Sequence, residues 1–550
     1  MDLTYFKYLR KESPALTTLS LSMATAAGIA QAAVMMIVNE AAVALFFEWS
    51  TTKMLFLFLF ALVVFVAAKR FFMYRVAASA EKLSQQIRLR IIDKLHHTEL
   101  ENFEQVGRSR IYNACGTDTA KLSEASVAVT SACASLLMVG CTIVYLAFIS
   151  LPSVIIITAV SVFGYYVFGS IRGAAQSELV RARQTENIFV DQLSQLLSGF
   201  KEVKLDRRKA DGLIQDDMRQ TTEQVLEANN RAQRAYANVI IAAQAFFLVL
   251  IASVVFIVPK VSGTSPIVLM QIISATLFLT GPIAEIIASM VPLAHANVAI
   301  RELQHIEELL DSKMDESMAQ QKPKPASKTW NQIELRDVYY HYGNQAAEQS
   351  SFSVGPLNLT LKQGEILFLV GGNGSGKTTL LSVLAGLRHP NAGHIYLDSK
   401  LVRREDLPHY RSHFAAVLSD FHLFRRLYGL DETARQHVRD VLAELEIADK
   451  TTVVGDSFTT IDLSTGQRKR VALAAAVAED RPIYLFDEWA ADQDPPFRDR
   501  FYKKILPELR ASGKTIVVIS HDDRYFGVAD RIITMEYGNI ASEQVPERQG

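Results

Sequence analysis

Residues 371–379 read GGNGSGKTT, and this stretch decides the fold of the C-terminal half. It matches G-x-x-x-x-G-K-[ST], follows the apolar run 366–370 and precedes Leu380 and Leu381 of a predicted helix. Its glycines let successive backbone N–H groups point into one concavity at a helix N-terminus, where they bind phosphate. The order of strand, loop and helix favours a phosphate-binding loop over a chance glycine-rich turn.

The side chains of this loop have predicted tasks. Lys377 is expected to reach the β- and γ-phosphates of a nucleotide, and the Thr378 hydroxyl to bind Mg²⁺. The residues predicted to contact the nucleotide are Gly371, Gly372, Asn373, Gly374, Ser375, Gly376, Lys377, Thr378 and Thr379.

A second apolar run, 483–486, ends in the two acids Asp487 and Glu488. Acids at the end of a buried strand beside a phosphate loop lie where a metal ion and an attacking water need support. We expect Asp487 to hold Mg²⁺ and Glu488 to polarise the water. Without residues 371–379, this second motif alone would be weak evidence.

Composition excludes several classes of protein. The 550 residues carry a net charge of −1 and are 49% hydrophobic, so neither a basic nucleic-acid surface nor a disordered acidic chain is indicated. Cys115, Cys133 and Cys141 show neither metal-ligand spacing nor an even set for disulfides. The sequence therefore predicts no nucleic-acid partner.

The N-terminal half is predicted to be an all-α membrane domain with six spans. Crossing a hydrocarbon core of about 30 Å takes roughly 20 helical residues. Buried soluble helices are the alternative, but they would need a very large core. The apolar stretches are 16–47, 54–68, 127–149, 154–168, 239–258 and 267–291.

Cations near the span ends predict the orientation. Basic residues cluster before the first span and after the second and fourth, whereas the opposite connections carry only Lys53 and Lys260. Both termini are therefore expected to be cytoplasmic. The polar N-terminus is longer than the first region of a signal peptide, and no cleavage pattern follows it, so we expect it to be retained.

The long cytoplasmic connections have helical patterning, with turns predicted at 107–118 and 199–206. These turns either contact a domain below the membrane or are solvated. Within or near the spans, Gln31, Asn39, Glu40, Gln244, Gln271 and Glu285 are polar. Glu285 either binds a polar or cationic group of a cargo or makes a hydrogen bond between helices.

The composition changes again between the two halves. Residues 311–329 are polar and contain Pro323 and Pro325, which is typical of a linker. Beyond them, short β-rich runs at 333–340, 366–370, 483–486 and 515–519 alternate with helices, which favours an α/β domain with a largely parallel core sheet. The predicted domains are a membrane domain at 1–310, a linker at 311–329 and an ATPase domain at 330–550.

Between the two nucleotide motifs lies LSTGQ, residues 463–467. It resembles the LSGGQ signature of ATP-binding cassette (ABC) proteins. The resemblance spans about 333–540, and the six-span region resembles the membrane half of the exporter branch. It implies ATP and Mg²⁺ as ligands, adenine stacking on Tyr342, a γ-phosphate contact by His521, and phosphate contacts from Ser464, Thr465, Gly466 and Gln467.

In this family two ATP molecules are held between two cassettes, each signature facing the other copy's phosphate loop. One chain here carries one of each motif. The resemblance therefore implies a half-transporter that works as a homodimer in the lipid membrane. A signature at a helix start also offers N–H groups and a positive dipole end to an anion.

Three departures from the family pattern stand out. Ser419 occupies the position of the glutamine that contacts Mg²⁺, and no glutamine occurs from 371 to 435. Thr465 replaces the first glycine of the signature. Trp489, Ala490 and Asp492 replace the usual residues after the catalytic acid. Since Asp487, Glu488 and His521 are intact, hydrolysis by Glu488 and His521, with Mg²⁺ held by Thr378, Asp487 and Ser419, is expected.

The strings SDFHLF, LSTGQRKR and FDEWAADQDP resemble bacterial inner-membrane exporters of cyclic peptides and peptide siderophores, most closely those of pyoverdine precursors. A peptide-like cargo is therefore expected. An exporter of an antibacterial peptide or a lipid, and an ATP-gated regulator that does not pump, remain as alternatives. A soluble ATPase is disfavoured by the six spans, and an importer by the fusion of membrane and ATPase parts.

Overall fold

The computed structural model describes residues 4–12, 14–47, 51–311, 330–342 and 352–546. The chain divides into two compact units, one of Met1–Asp93 and Gly107–Glu308, the other of Lys94–Val106 and Leu309–Gly550. We call the first the membrane unit and the second the cassette unit. The predicted linker lies outside the described residues, apart from Asp311.

The N-terminal part of the described chain is helical throughout. The helices are α1 Thr4–Glu12, α2 Pro14–Phe46, α3 Thr52–His97, α4 Leu100–Val106, α5 Arg108–Asn113, α6 Thr119–Ile149, α7 Leu151–Ser198, α8 Phe200–Leu205, α9 Arg207–Asp211, α10 Arg219–Phe256, α11 Val258–Ser262, α12 Pro266–Phe278, α13 Thr280–Ala288 and α14 Met290–Asp311. Two π-helical turns, Ala114–Asp118 and Gly212–Met218, continue their neighbours.

Long apolar helices dominate the membrane unit. Within the described residues, five helical stretches are long and apolar enough to cross a membrane, and Leu151–Gly164 is a shorter apolar one. The shorter stretch coincides with the predicted fourth span, and α7 continues well beyond it. The helical membrane domain is as expected, and the count of six spans stays a prediction.

Close packing joins α2 to α6. Gly28 lies where a Cβ atom would stand 2.7 Å from the backbone oxygen of Ala134. The neighbouring Ala24 and Ala27 are also buried against Ala134. Small residues let two backbones approach inside a membrane, where lipid tails provide no hydrophobic drive for association.

One segment of the first long connection belongs to the cassette unit. It consists of Lys94–Val106, which includes α4, and we call it the docking segment. The prediction placed the candidate contact at 107–118, but those residues group with the membrane unit. The chain already turns ahead of the predicted position, where α3 ends at His97, and a contact of 107–118 with a domain below the membrane stays a prediction.

The cassette unit contains two main sheets. A four-stranded antiparallel sheet has the order β2-β1-β4-β5, and a six-stranded sheet has the order β12-β11-β3-β10-β9-β6. The strands are β1 Gln332–His341, β2 Ser353–Lys362, β3 Ile366–Gly371, β4 Ala392–Leu397, β5 Lys400–Leu401, β6 Phe414–Val417, β7 Val453–Val454, β8 Ser457–Phe458, β9 Ile483–Asp487, β10 Thr515–Ile519, β11 Arg531–Glu536 and β12 Asn539–Gln544.

The six-stranded sheet is parallel except at the β11–β12 edge. Alternate residues of β3 enter two buried clusters, with Phe368 in one and Leu367 and Leu369 in the other. Burial on both faces explains why this strand reads as an unbroken apolar run. The predicted strand at 333–340 exists as β1 but belongs to the antiparallel sheet.

Helices cover the sheets of the cassette unit. They are α15 Lys377–Leu384, α16 Leu407–Arg411, α17 Glu432–Glu444, α18 Thr465–Ala478, α19 Pro495–Arg500 and α20 Leu506–Ala511. A π-helical turn, Phe501–Ile505, joins the last two, and short 3₁₀ turns cover Arg404–Asp406, Trp489–Asp492 and Asp523–Val528.

The α2–α6 contact can be tested with two glycines. Gly28→Ala places a methyl group against the α6 backbone, so we expect a loss of roughly 1–3 kcal/mol and a lower melting temperature of the detergent-purified protein. Gly140 of α6 has no atom within 4 Å of a built Cβ, so Gly140→Ala should not lower it. Equal shifts for the two variants would contradict the close approach.

Candidate nucleotide site

The phosphate loop joins β3 to α15 in a backbone form that requires glycine. Gly371 has φ 143° and Gly376 has φ 102°, both in the region that side chains rarely adopt. A Cβ at Gly371 would also stand 2.2 Å from the Met535 backbone oxygen on the neighbouring strand. The backbone conformation of the loop therefore requires glycine at positions 371 and 376.

Lys377 lies over this loop. Its Nζ donates to the backbone oxygens of Gly371 at 3.0 Å and Gly372 at 2.9 Å. Burial lowers the pKa of Lys377, against the opposing effect of Glu488 and Asp487. A partly desolvated ammonium over open glycines suits an anion of high charge, such as a triphosphate.

Asp487 ends β9 beside the loop. Its Oδ2 accepts a hydrogen bond from the Thr378 hydroxyl at 3.1 Å, and its buried Oδ1 has no hydrogen-bond partner among the described residues. Burial raises the pKa of Asp487, which the hydroxyls of Ser419 and Thr378 oppose. An orphaned carboxylate oxygen with two hydroxyls nearby fits Mg²⁺, which prefers oxygen ligands.

Glu488 directly follows Asp487, and its side chain contacts that of His521. The His521 Nε2 lies 3.0 Å from Glu488 Oε1, and both side chains are partly exposed. Glu488 has φ 48°, and its N–H donates to the Ile519 backbone oxygen, which fixes the turn after β9. A cavity of about 400 Å³ opens beside this pair. A carboxylate and an imidazole in contact at a cavity can orient a water and move its proton.

The signature stretch forms the start of α18. Ser464 is the N-cap, its hydroxyl accepts from the Gln467 N–H, and Gln467 Oε1 accepts from the Ser464 N–H. Ser464 and Thr465 are exposed. A Cβ at Gly466 would stand 2.5 Å from the Asp492 backbone oxygen, so the glycine retained here is the one that packing requires.

Two of the residues that depart from the family pattern, Trp489 and Asp492, contact Lys469 of α18. Lys469 of α18 donates to the Glu488 backbone oxygen at 2.8 Å and pairs with Asp492 at 2.7 Å. The indole N–H of Trp489 donates to the Lys469 backbone oxygen at 2.9 Å. The sequence did not single out Lys469, because its near-complete burial, which is unusual for a lysine, is visible only in the structure.

Tyr342 lies beside the phosphate loop. Its hydroxyl is 3.1 Å from the Thr379 hydroxyl, and its ring packs edge-on against Tyr340 with centroids 5.2 Å apart. The ring is partly exposed, which leaves surface on which a base can stack. The structure therefore brings Tyr342 close to the phosphate loop, although Tyr342 precedes that loop in the sequence by 29 residues.

The polar residues of the predicted spans have different surroundings. Glu285 accepts a hydrogen bond from the Ser135 hydroxyl at 2.5 Å and lies 3.9 Å from Lys69, so the helix-to-helix alternative fits its contacts. Asn39 donates to the Tyr145 hydroxyl, which donates to Glu40. Gln244 lines a largely apolar cavity of about 570 Å³ between α10 and α13.

Comparisons with known proteins agree with this arrangement. The model of the ABC transporter family matches residues 354–491, and that of the ABC transporter transmembrane region matches residues 14–282. ATP-binding protein SyrD of Pseudomonas syringae pv. syringae is 30% identical over 98% of this chain and 96% of its own length. The ATP-dependent lipid A-core flippase of Burkholderia orbicola is 33% identical over 40% of this chain and 38% of its own.

The fold is also shared with a solved structure. A bacterial Atm1-family ABC exporter with ATP bound superposes with a TM-score of 0.77 at 17% identity, over 98% of this chain and 95% of that one. The match runs through both the membrane part and the cassette. The chain therefore belongs to the ABC transporter family and carries, on one polypeptide, the transmembrane region and the ATP-hydrolysing cassette of a half-transporter with the exporter fold.

Proposed function

We propose that the chain exports a peptide-like molecule, either a nonribosomal peptide siderophore precursor or a cyclic peptide, across the bacterial inner membrane. It acts as an alternating-access homodimer with both termini in the cytoplasm. The observation that carries the proposal is the contact of Glu488 with His521 beside the phosphate loop, since this pair can couple hydrolysis to a change of conformation.

At the nucleotide site each residue has a task. Lys377 and the loop N–H groups bind the triphosphate, and Tyr342 stacks on the base. Mg²⁺ held by Thr378, Asp487 and Ser419 would neutralise charge on the β- and γ-phosphates. Glu488 accepts the proton of the attacking water, while His521 orients Glu488 and the terminal phosphate. Ser419 is shorter than the glutamine usual in the family, so it acts at closer range or through a water.

The second half of each site is proposed to come from a second copy. Ser464 and Thr465 are exposed at the start of α18, and among the described residues no hydrogen bond joins them to the phosphate loop of their own chain. A helix N-terminus with free N–H groups binds anions. Two copies related by a twofold axis would each complete the other's site.

The cavity between α10 and α13 is the proposed contact for cargo. Its walls are apolar, with Phe247, Ile283 and Ile287, while Tyr236, Gln244 and Thr280 add polar groups. A mostly apolar pocket with a few polar groups suits an amphiphilic peptide with hydrophobic side chains. The resemblance of the cassette to exporters of cyclic peptides and siderophores supports the same class, with pyoverdine precursors as one candidate.

A lipid is the second candidate cargo. One relative of the chain is named as a lipid A-core flippase, and the apolar cavity also accommodates acyl chains. A regulator that uses ATP without pumping remains a third alternative. Uptake into inverted vesicles separates the three, since a peptide pump accumulates peptide, a flippase moves labelled lipid between leaflets, and a regulator does neither.

The role of Glu488 can be tested directly. We expect Glu488→Gln to lower ATP turnover by about 100-fold or more, because the amide cannot accept the proton, while ATP binding is kept. Phosphate release and nucleotide binding are measured on the purified full-length chain. Glu508→Gln, at an acid on α20, is the control and should leave turnover unchanged. Unchanged turnover in Glu488→Gln would overturn the assignment.

The composite site predicts rescue between two inactive variants. Lys377→Ala removes a phosphate contact, and Gly466→Ala pushes α18 away from Asp492, so each homodimer should be inactive. A mixed dimer keeps one complete site, made of Lys377 from one copy and the signature of the other. Mixing equal amounts before assembly should restore up to about a quarter of normal ATP turnover. No recovery would indicate that each site lies within one chain.

The cargo cavity can be filled. We expect Ala284→Trp to abolish stimulation of ATP hydrolysis by a cyclic peptide siderophore and its uptake into inverted vesicles, while basal hydrolysis stays close to normal. Val144→Trp, at an exposed position of α6, is the matched control and should transport normally. Normal transport by Ala284→Trp would place the cargo elsewhere.

A further inference from the structure

Arg388 connects the docking segment to the nucleotide site within the cassette unit. Its Nη2 donates to both carboxylate oxygens of Glu104 on α4, at 2.8 and 3.1 Å, and its Nη1 donates to the Tyr340 hydroxyl at 2.9 Å. Arg388 is only 8% exposed. Burial opposes the charge, yet the hydrogen bonds with Glu104 and Tyr340 raise its pKa above the ordinary value, so it stays charged.

The same guanidinium lies over Tyr342. Its carbon is 4.7 Å from the centre of that ring, within the range of a cation–π contact. Tyr342 is thus held by Arg388 at its ring, by Tyr340 at its edge and by Thr379 at its hydroxyl. A continuous chain of contacts therefore runs from Glu104 through Arg388 to the ring beside the phosphate loop.

A neighbouring ion pair lacks this connection. Arg411 donates to Glu99 of the docking segment at 2.5 Å and to the Gly386 backbone oxygen at 2.7 Å. Among the described residues, Arg411 makes no hydrogen bond or cation–π contact with Tyr340 or Tyr342. The two pairs hold the same segment, but only the pair of Arg388 and Glu104 reaches Tyr342.

We propose that Arg388 is a positioning residue for the nucleobase, and that through Glu104 it links base binding to the docking of residues 94–106. The proposal rests on the proposed stacking of the base on Tyr342. Because linkage is reciprocal, a base that fixes the ring tightens the segment, and a loosened segment weakens binding of the base. This route does not require the glutamine that Ser419 replaces.

The test compares a ligand that has a base with one that lacks it. Glu104→Gln in the full-length chain in lipid nanodiscs is expected to raise the dissociation constant of ATP by about 3- to 10-fold. It should leave that of tripolyphosphate unchanged, because tripolyphosphate uses the phosphate loop alone. Glu99→Gln, the matched control on the same segment, should change neither constant. Isothermal titration measures both ligands.

Each outcome has a distinct meaning. If Glu104→Gln weakens tripolyphosphate as much as ATP, or if Glu99→Gln matches it, the pair is merely structural and the proposal is overturned. If Tyr342→Ala leaves ATP binding unchanged, the base does not stack there and the proposed site itself fails. If Tyr342→Ala weakens ATP and Glu104→Gln does not, only the linkage is refuted.

A second measurement tests the linkage in the opposite direction, from binding of the base to the docking segment. ATP, and not tripolyphosphate, is expected to slow amide hydrogen exchange in α4 of the unmutated chain. Arg388→Met keeps the length and burial of the side chain but removes its charge, and should abolish that slowing while tripolyphosphate still binds. Equal slowing by the two ligands, or slowing that persists in Arg388→Met, would refute the linkage.

Discussion

Parallel hydrogen bonding between β3, β10 and β9 sets the position of every proposed reacting group. Ile519 of β10 lies opposite Leu369 of β3 and opposite Asp487 of β9. The three strands consequently end at one edge, where the phosphate loop, His521 and Glu488 follow them. A shift of one residue in this register would turn every side chain of the shifted strand to the opposite face of the sheet and separate the acid from the imidazole.

The turn after β9 and the helix α18 act as one unit. Lys469 binds the Glu488 backbone oxygen and Asp492, and Arg470 pairs with Asp494 while lying 3.7 Å from the Phe497 ring centre. A buried lysine left without Asp492 would be costly. The acids that follow the catalytic glutamate are therefore paired with the basic residues at the start of α18.

Local sequence motifs predicted the elements of the nucleotide site, but they did not predict contacts between segments that are distant in the sequence. The glycines of residues 371–379 predict a phosphate-binding loop, and the apolar run within residues 483–488 predicts a buried strand. No local pattern marks Glu104 as the partner of Arg388, since 284 residues separate them. Glu285 shows the same limit, because its position within an apolar run of the sequence indicated a functional or inter-helix role, but only the fold reveals Ser135 and Lys69 beside it.

Charged hydrogen bonds from Arg388 and Arg411 hold the docking segment. Arg388 is nearly buried, so loss of Glu104 would leave a desolvated cation, which costs far more than breaking an exposed pair. Arg411 and Glu99 are also partly shielded. A contact made of a few charged hydrogen bonds is strong when aligned and weakens steeply when the partners move apart. Such a contact suits the proposed linkage between the docking segment and the nucleobase, because small displacements near Tyr342 would change its free energy sharply.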